Sequence, residues 1–561
     1  MNTCKSGPRA ASRGFHHGLL AVLLGATGLA TSSAARQPAS PPVFTETIDV
    51  RVVNLEVVVT DRNGNRVAGL AASEFELLVD GEIVPIELFS EVREGLTVAR
   101  TGGDGGDATR AVPALEPGSP VGTSFLVFVD DYFSIGRDRN RVLDHLVEQL
   151  PRLGPRDRMA VVAFDGRELE LLSSWSGDLP AVAETLRQAK ARPTRGLQRI
   201  TELRRDALPP SSQNPRFGIS TLSGQLSLEE RYVVGKLEDQ IDRVVKAAAA
   251  TLRSFASPPG RRVMLLLSGG WPFDPVENLL DDPRRPITDT QVERGEGLFR
   301  DLSDTANLLG YTIYPVDVPG LEGIAADAAA EGPDPGVGGI GARSFIRESG
   351  IHRTAYFLAE ETGGEPLLNA RRAEVLERVT ADLGSFYWLG FTPVRTGDDR
   401  RHEIEVRVTR PGLKVRTRRD YFDFSRQREV TLAVESALRF GAPPSPEPLL
   451  VQLGRGERSG LRTMQVPLVV GIPADAVTFL PGPGGFTAQV ELRVAVLDES
   501  GATADTPVVP LTLQLPERPQ PGTVLRYETS LKMRRQPHDI VVAVYDLATG
   551  VILSSALEVQ P

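Results

Sequence analysis

Cysteine is all but missing from this chain: Cys4 is the only one in 561 residues. It lies ahead of the apolar run Gly18–Ala30, which Lys5, Arg9 and Arg13 precede and Ser33-Ala34-Ala35 follow. That layout predicts an export signal over residues 1–35, with an uncleaved N-terminal anchor as the alternative reading. Cleavage removes the one thiol. A chain without thiols forms no disulfide, has no cysteine nucleophile and holds no thiolate-bound zinc or iron–sulfur cluster. No later run is long and apolar enough to span a bilayer, so no transmembrane segment is expected after signal removal and the protein should be periplasmic or secreted. Positive charge is scarce too. The formal net charge of −10 becomes −13 without residues 1–35, which argues against nucleic acid as a partner. Arg416–Arg419 reads as a solvated strand face. Beyond the signal, His145, His352, His402 and His538 are scattered, without H-E-x-x-H spacing and away from any G-x-S-x-G elbow.

What is present is ordinary globular composition, 41% hydrophobic and 24% charged, in a chain too long for one core. Residues 43–98 read as a β domain: Val50–Thr60 partly alternates, and Asn63-Gly64 and Asp80-Gly81 supply turns. Residues 99–120 read as a linker. Residues 121–392 alternate strands and helices, the pattern of a doubly wound sheet. Within them Glu168–Leu172 is expected as an antiparallel neighbour of Met159–Phe164, and residues 195–226 as a polar insertion whose PPSSQNP segment, Pro209–Pro215, should be a mobile loop. The capping-box pattern Ser227-Leu228-Glu229-Glu230 opens a long helix. The strand Tyr387–Phe391 closes the region. Residues 393–424 form a hairpin around Pro411-Gly412, and 428–561 a β-sandwich beginning with a strand at Val430–Leu438.

The segment Phe125–Ser134, FLVFVDDYFS, carries most information. Five apolar residues read as a strand buried on both faces, ending at Asp130 and Asp131 with Ser134 close behind. Ligands of open α/β sheets collect at the carboxyl ends of such strands, where oxygen donors hold a hard cation. A competing reading is that both aspartates cap the next helix and bond loop amides.

Several segments in order resemble the VWFA-related domain family of exported bacterial proteins, acidobacterial type. They are Val57–Gly81, Phe125–Asp131, Met159–Gly166 (MAVVAFDG), Tyr311–Leu321 (YTIYPVDVPGL), Leu358–Gly364, Ser385–Pro393 (SFYWLGFTP) and His402–Phe422. The resemblance spans about Val43 to Phe424 and implies a von Willebrand factor type A fold flanked by β segments. Intact type A domains hold one divalent ion, usually Mg²⁺, through a D-x-S-x-S loop, a later threonine and an aspartate after the central strand. Mapped here, Asp130 matches the first aspartate and Ser134 the second serine, while Tyr132 stands at the first serine. Thr194 is the candidate threonine. Gly269, in Ser268-Gly269-Gly270, replaces the later carboxylate, with Asp131 and Asp274 as substitutes. The ion implied is Mg²⁺, Ca²⁺ or Mn²⁺.

The fold expected is thus multidomain, α/β plus all-β: a type A-like sheet flanked by β-sandwich domains. The function expected is non-enzymatic, the rim holding a protein or cell-envelope partner. An exported hydrolase using Asp130, Asp131 and Asp274 is the alternative, and an extracytoplasmic assembly factor a third reading. The sequence leaves the oligomeric state open.

Overall fold

A computed structural model describes residues 53–98, 118, 120–206, 226–255, 260–279, 292–319, 340–368, 374–393, 397–440, 449–460, 462–482, 484–498, 503 and 506–559. The expected signal lies outside them, as do residues 99–117 of the linker and 207–225 of the expected insertion. No helix among the described residues is long and apolar enough to cross a membrane. The protein is mixed α/β with several sheets, and it divides into two units. One is Pro41–Pro443 with Ala495–Thr506; the other is built on Pro444–Val494 and Pro507–Pro561.

The first unit is organised on a five-stranded sheet of β1 (Thr123–Asp130), β2 (Arg158–Phe164), β3 (Leu169–Ser176), β4 (Arg261–Ser268) and β5 (Tyr311–Asp317), in the order β5-β4-β1-β2-β3. All neighbours run parallel except β3, which is antiparallel to β2. The chain thus steps from β1 to one side and returns to the other, so the order reverses at β1. Every residue of β1 is buried. Phe125, Val127 and Val129 pack with Val142, Leu146, Leu186 and Val379 from helices Gly136–Gln149, Leu179–Ala189 and Val375–Leu383. On the other face Leu126 and Phe128 pack with Ile241, Val244 and Leu302 from helices Leu228–Ser254 and Arg300–Leu309. Apolar side chains on both faces of a strand require this double cover. The capping box of helix Leu228–Ser254 forms: Glu230 N donates to Ser227 Oγ (3.2 Å) and Ser227 N to a Glu230 carboxylate oxygen (2.8 Å).

Two expectations are corrected within this unit. Phe386–Phe391 does not join the α/β sheet but pairs with Val53–Thr60 and Leu88–Arg93. Its apolar run suits any buried strand, so nothing local fixes its neighbours. The hairpin at Pro411-Gly412 does not pair with itself. Arg400–Val408 joins Phe75–Val79, whereas Lys414–Arg416 joins Val53–Thr60 in a different sheet. Residues 53–98, Phe386–Phe391 and 397–424 therefore form one β structure, around Leu55, Val57, Phe75, Phe89, Tyr387, Ile404 and Tyr421. Within the expected polar insertion Gly196–Asp206 is helical, and the expected loop Pro209–Pro215 lies outside the described residues. The hairpin turn at Asp80-Gly81 does form, with both residues at positive φ (51° and 82°).

Two charged junctions tie these layers together. Asp382 accepts from Tyr314 Oη (2.6 Å) on β5 and from Arg66 and Arg416 of the β structure. Although burial opposes its charge, the two arginines and the tyrosine hold the carboxyl down at about 2. At the second junction Arg401 donates to Asp304 (2.6 Å) and Asn307 to Asp420 (2.8 Å). Burial, reinforced by Asp420 and Asp301, lifts Asp304 to about 7 against the pull of Arg401 and Arg300. The folded carboxyl keeps its proton between about pH 4 and 7, where the unfolded one has lost it. Stability should therefore fall as pH rises through that window, by up to about 4 kcal/mol. Urea denaturation from pH 4 to 8 checks this, and Asp304→Asn should flatten the slope.

The second unit holds two antiparallel groupings. Thr463–Pro473 pairs with Leu450–Leu453 and Val524–Arg534, and Gly485–Asp498 with Val508–Leu515 and His538–Asp546. The expected sandwich from residue 428 is corrected at its start, since Arg426–Phe440 is a helix of the first unit. Val430, Val434, Ala437 and Leu438 are among its buried residues and fall at helical spacing, but Leu432 and Ser436 are buried too, so Val430–Ser436 also alternates as a strand would.

Candidate functional site

The carboxyl end of β1 lies where the strand order reverses, the place where open sheets leave a crevice between diverging loops. Asp130 ends the strand and is wholly buried. Its Oδ1 accepts from the backbone N–H groups of Tyr132 and Phe133, both at 3.0 Å. Its Oδ2 accepts from Ser268 Oγ (2.6 Å) and Trp271 Nε1 (2.8 Å). Burial pushes this carboxyl up, against those donors and the charge of Arg199. Four donors occupy the four lone-pair positions of the carboxylate.

The other predicted ligands turn elsewhere. Asp131 forms a buried ion pair with Arg139 and another with Arg192 (2.8 Å). Arg139 also donates to the carbonyls of Lys190 and Arg192 (3.0 and 3.1 Å), drawing that loop onto the strand end. Asp274 caps the short helix Pro275–Leu279 through the amides of Val276 and Glu277 and pairs with Arg294 (2.7 Å). Thr194 faces the start of helix Gly136–Gln149: its Oγ1 lies 3.1 Å from where a Cβ on Gly136 would sit. The structure thus brings Asp130, Asp131 and Ser134 to one strand end but aims both carboxylates at protein donors, while Asp274 serves a different helix. Ser134 Oγ is buried without a hydrogen-bond partner.

Backbone packing accounts for the remaining space. A Cβ on Gly269 would lie 2.1 Å from the Phe133 carbonyl oxygen and 2.9 Å from Ser134 Cα. A Cβ on Gly196 would lie 2.5 Å from the Ser134 carbonyl oxygen, which accepts from Gly196 N at 3.1 Å. The loop after β1 is therefore gripped between two glycine backbones. Tyr132 does not point toward an ion position: its ring lies flat on Gly166, whose absent Cβ would be 2.3 Å away. A divalent ion needs several oxygen ligands turned toward one point. The residues of this strand end do not fit one.

Sequence reasoning missed Arg199 and Trp271. Arg199 is buried, its guanidinium 3.4 Å from the Phe133 ring centroid and 5.0 Å from that of Tyr132, and it donates to Gln240 Oε1 (2.9 Å). It lies in the stretch that reads in sequence as a polar insertion. Trp271 carried a usable signal, being one of three tryptophans and directly following the Gly-Gly after the central strand. Away from the strand end, Asp398, His402 and Asp423 bring three ligand atoms within 4.8 Å of one another. There Asp80 accepts from His402 Nδ1 at 2.8 Å, and the His402 ring stacks on Tyr421.

No family model and no curated protein matches the chain. Solved structures with local likeness include a putative β-galactosidase from Bacteroides fragilis (12% identity, TM-score 0.15, covering 20% of this chain and 16% of that one). A PilB minor pilin from Streptococcus sanguinis shows 11% identity and a TM-score of 0.22 over 48% of this chain and 62% of the pilin. The pilus adhesin SpaC from Lactobacillus rhamnosus GG shows 8% identity and a TM-score of 0.26 over 78% of this chain and 57% of the adhesin. The chain thus spans less than two thirds of each of these three, and likenesses this slight assign it to no family.

Proposed function

We propose that this chain is an exported, non-enzymatic binding protein with a von Willebrand factor type A-like domain, whose loops at the carboxyl end of the sheet hold a protein or cell-envelope partner. The reversal of strand order at Thr123–Asp130 carries this reading, with the antiparallel edge strand β3 and helices on both faces in support. Arg137, in the first turn of helix Gly136–Gln149, and Arg195, in the loop bonded to the Asp131 carbonyl, are exposed there (57% and 44%). A hydrolase built on Asp130, Asp131 and Asp274 is less well supported. A general acid or base must reach the proton it moves, and these carboxylates are buried and bonded to arginines or fixed donors.

The test is retention of envelope proteins by the immobilised full chain. Arg137→Glu with Arg195→Glu should reduce retention, whereas Arg407→Glu on the β structure, also exposed (54%), should leave it unchanged. Failure to retain any partner, or equal loss in both variants, would remove the reading.

A further inference from the structure

We infer that Arg199 is the resident cation of this strand end, and that the rim works without a divalent ion. The inference rests on the type A reading of the sheet, because only that reading expects an ion beside Asp130.

Two departures from the family's ligand pattern, at Tyr132 and Gly269, act together with Phe133 and Trp271 beside them. Tyr132, in place of the first serine, lays its ring against Gly166 and under the Arg199 guanidinium. Phe133 offers Arg199 a second face at 3.4 Å, and the same residue's N–H binds Asp130. Gly269, in place of the later aspartate, is no simple deletion, since the Phe133 carbonyl fills the space a side chain needs. Trp271, two residues on, donates its indole N–H to the Asp130 oxygen that Ser268 also binds. An ion would need Asp130 to give up these bonds and a carboxylate to enter at residue 269.

Arg199 supplies the charge that the ion would have brought. It donates to the neutral Gln240 amide and lies over the rings of Phe133 and Tyr132, the two residues whose N–H groups hold Asp130. A buried carboxylate needs a compensating charge or several donors, and here it has both. Arginine suits the place because its planar group stacks on rings while it donates at the edge. The helix Gly196–Asp206 that bears Arg199 is fixed to the loop by Gly196 N on the Ser134 carbonyl and Arg195 N on the Asp131 carbonyl (2.9 Å). The cation is thus built into the fold and is not exchangeable.

The test is thermal unfolding of the full chain with Mg²⁺, Mn²⁺ or Ca²⁺, for wild type, Asp130→Asn, Arg199→Met, the double variant and His402→Ala. An ion that binds the folded state raises its midpoint. We expect each ion to move wild type and Asp130→Asn alike. Arg199→Met and Asp130→Asn should each lower the midpoint by several degrees, and the double variant by less than their sum. A rise lost in His402→Ala but kept in Asp130→Asn locates an ion at the other cluster and supports the inference. A rise in wild type that Asp130→Asn abolishes would overturn it. If Arg199→Met does not fold, the ion comparison between wild type and Asp130→Asn decides alone. Partner retention that survives EDTA supports the inference, and retention that EDTA abolishes counts against it; the absence of any retained partner overturns the proposed function and leaves the ion comparison intact.

Discussion

Asp382→Ala should cost the protein about 3–5 kcal/mol, the loss typical when one member of a buried ion pair is removed. The aspartate is buried at the end of helix Val375–Leu383 and takes hydrogen bonds from Arg66, Arg416 and Tyr314. Removing it leaves two guanidinium groups and a phenol facing one another at the junction of β5 with the β structure. The same carboxyl gives a signed pH prediction. Its folded value of about 2 lies below the ordinary 3.8, so its contribution is present above about pH 4 and is lost as pH falls toward 2. That contribution is about 2 kcal/mol. Urea unfolding of Asp382→Ala at pH 7, and of wild type between pH 2 and 5, measures both. A loss below about 1 kcal/mol at pH 7 would mean that the junction behaves as a solvated surface pair.

Gly269→Asp should fail in a way the family pattern does not anticipate. Restoring the carboxylate of intact type A domains looks like a gain of a metal ligand. Here the new Cβ would fall 2.1 Å from the Phe133 carbonyl oxygen, well inside contact distance, and that atom is backbone. The loop after β1 must shift, and Asp130 then loses the amides of Tyr132 and Phe133. A loss of about 3 kcal/mol is expected from overpacking alone. Gly269→Ala separates sterics from charge: it should destabilise nearly as much as Gly269→Asp, by the same denaturation measurement. If Gly269→Asp is stable and gains ion-dependent stabilisation, the loop is free to move and the space is not committed.

How much of this was legible in the residues varies with the range of the interactions involved. The strand Phe125–Asp130 was legible because double burial writes itself as an unbroken apolar run, and the start of helix Leu228–Ser254 because Ser227 and Glu230 bond only three residues apart. Phe386–Phe391 was not, because its partners Val53–Val57 lie over 300 residues away and any apolar strand would satisfy them locally. Helix Arg426–Phe440 was misread from β-branched residues that fit a short strand equally well. At the strand end the residue types were visible but their directions were not. Asp130, Asp131 and Asp274 look alike in sequence; what distinguishes them is which N–H groups and guanidiniums the fold delivers to each, and Arg199 comes from a segment that reads as a polar insertion.

The central claim is that protein donors and Arg199, and no ion, complete the strand end around Asp130. Crystals of the full chain soaked in Mn²⁺, with an anomalous difference map at the manganese edge, address it most directly. The account predicts no peak beside Asp130, with Ser268 Oγ and Trp271 Nε1 still bonded to the carboxylate. A peak at coordination distance from an Asp130 oxygen, with Trp271 displaced, would contradict it.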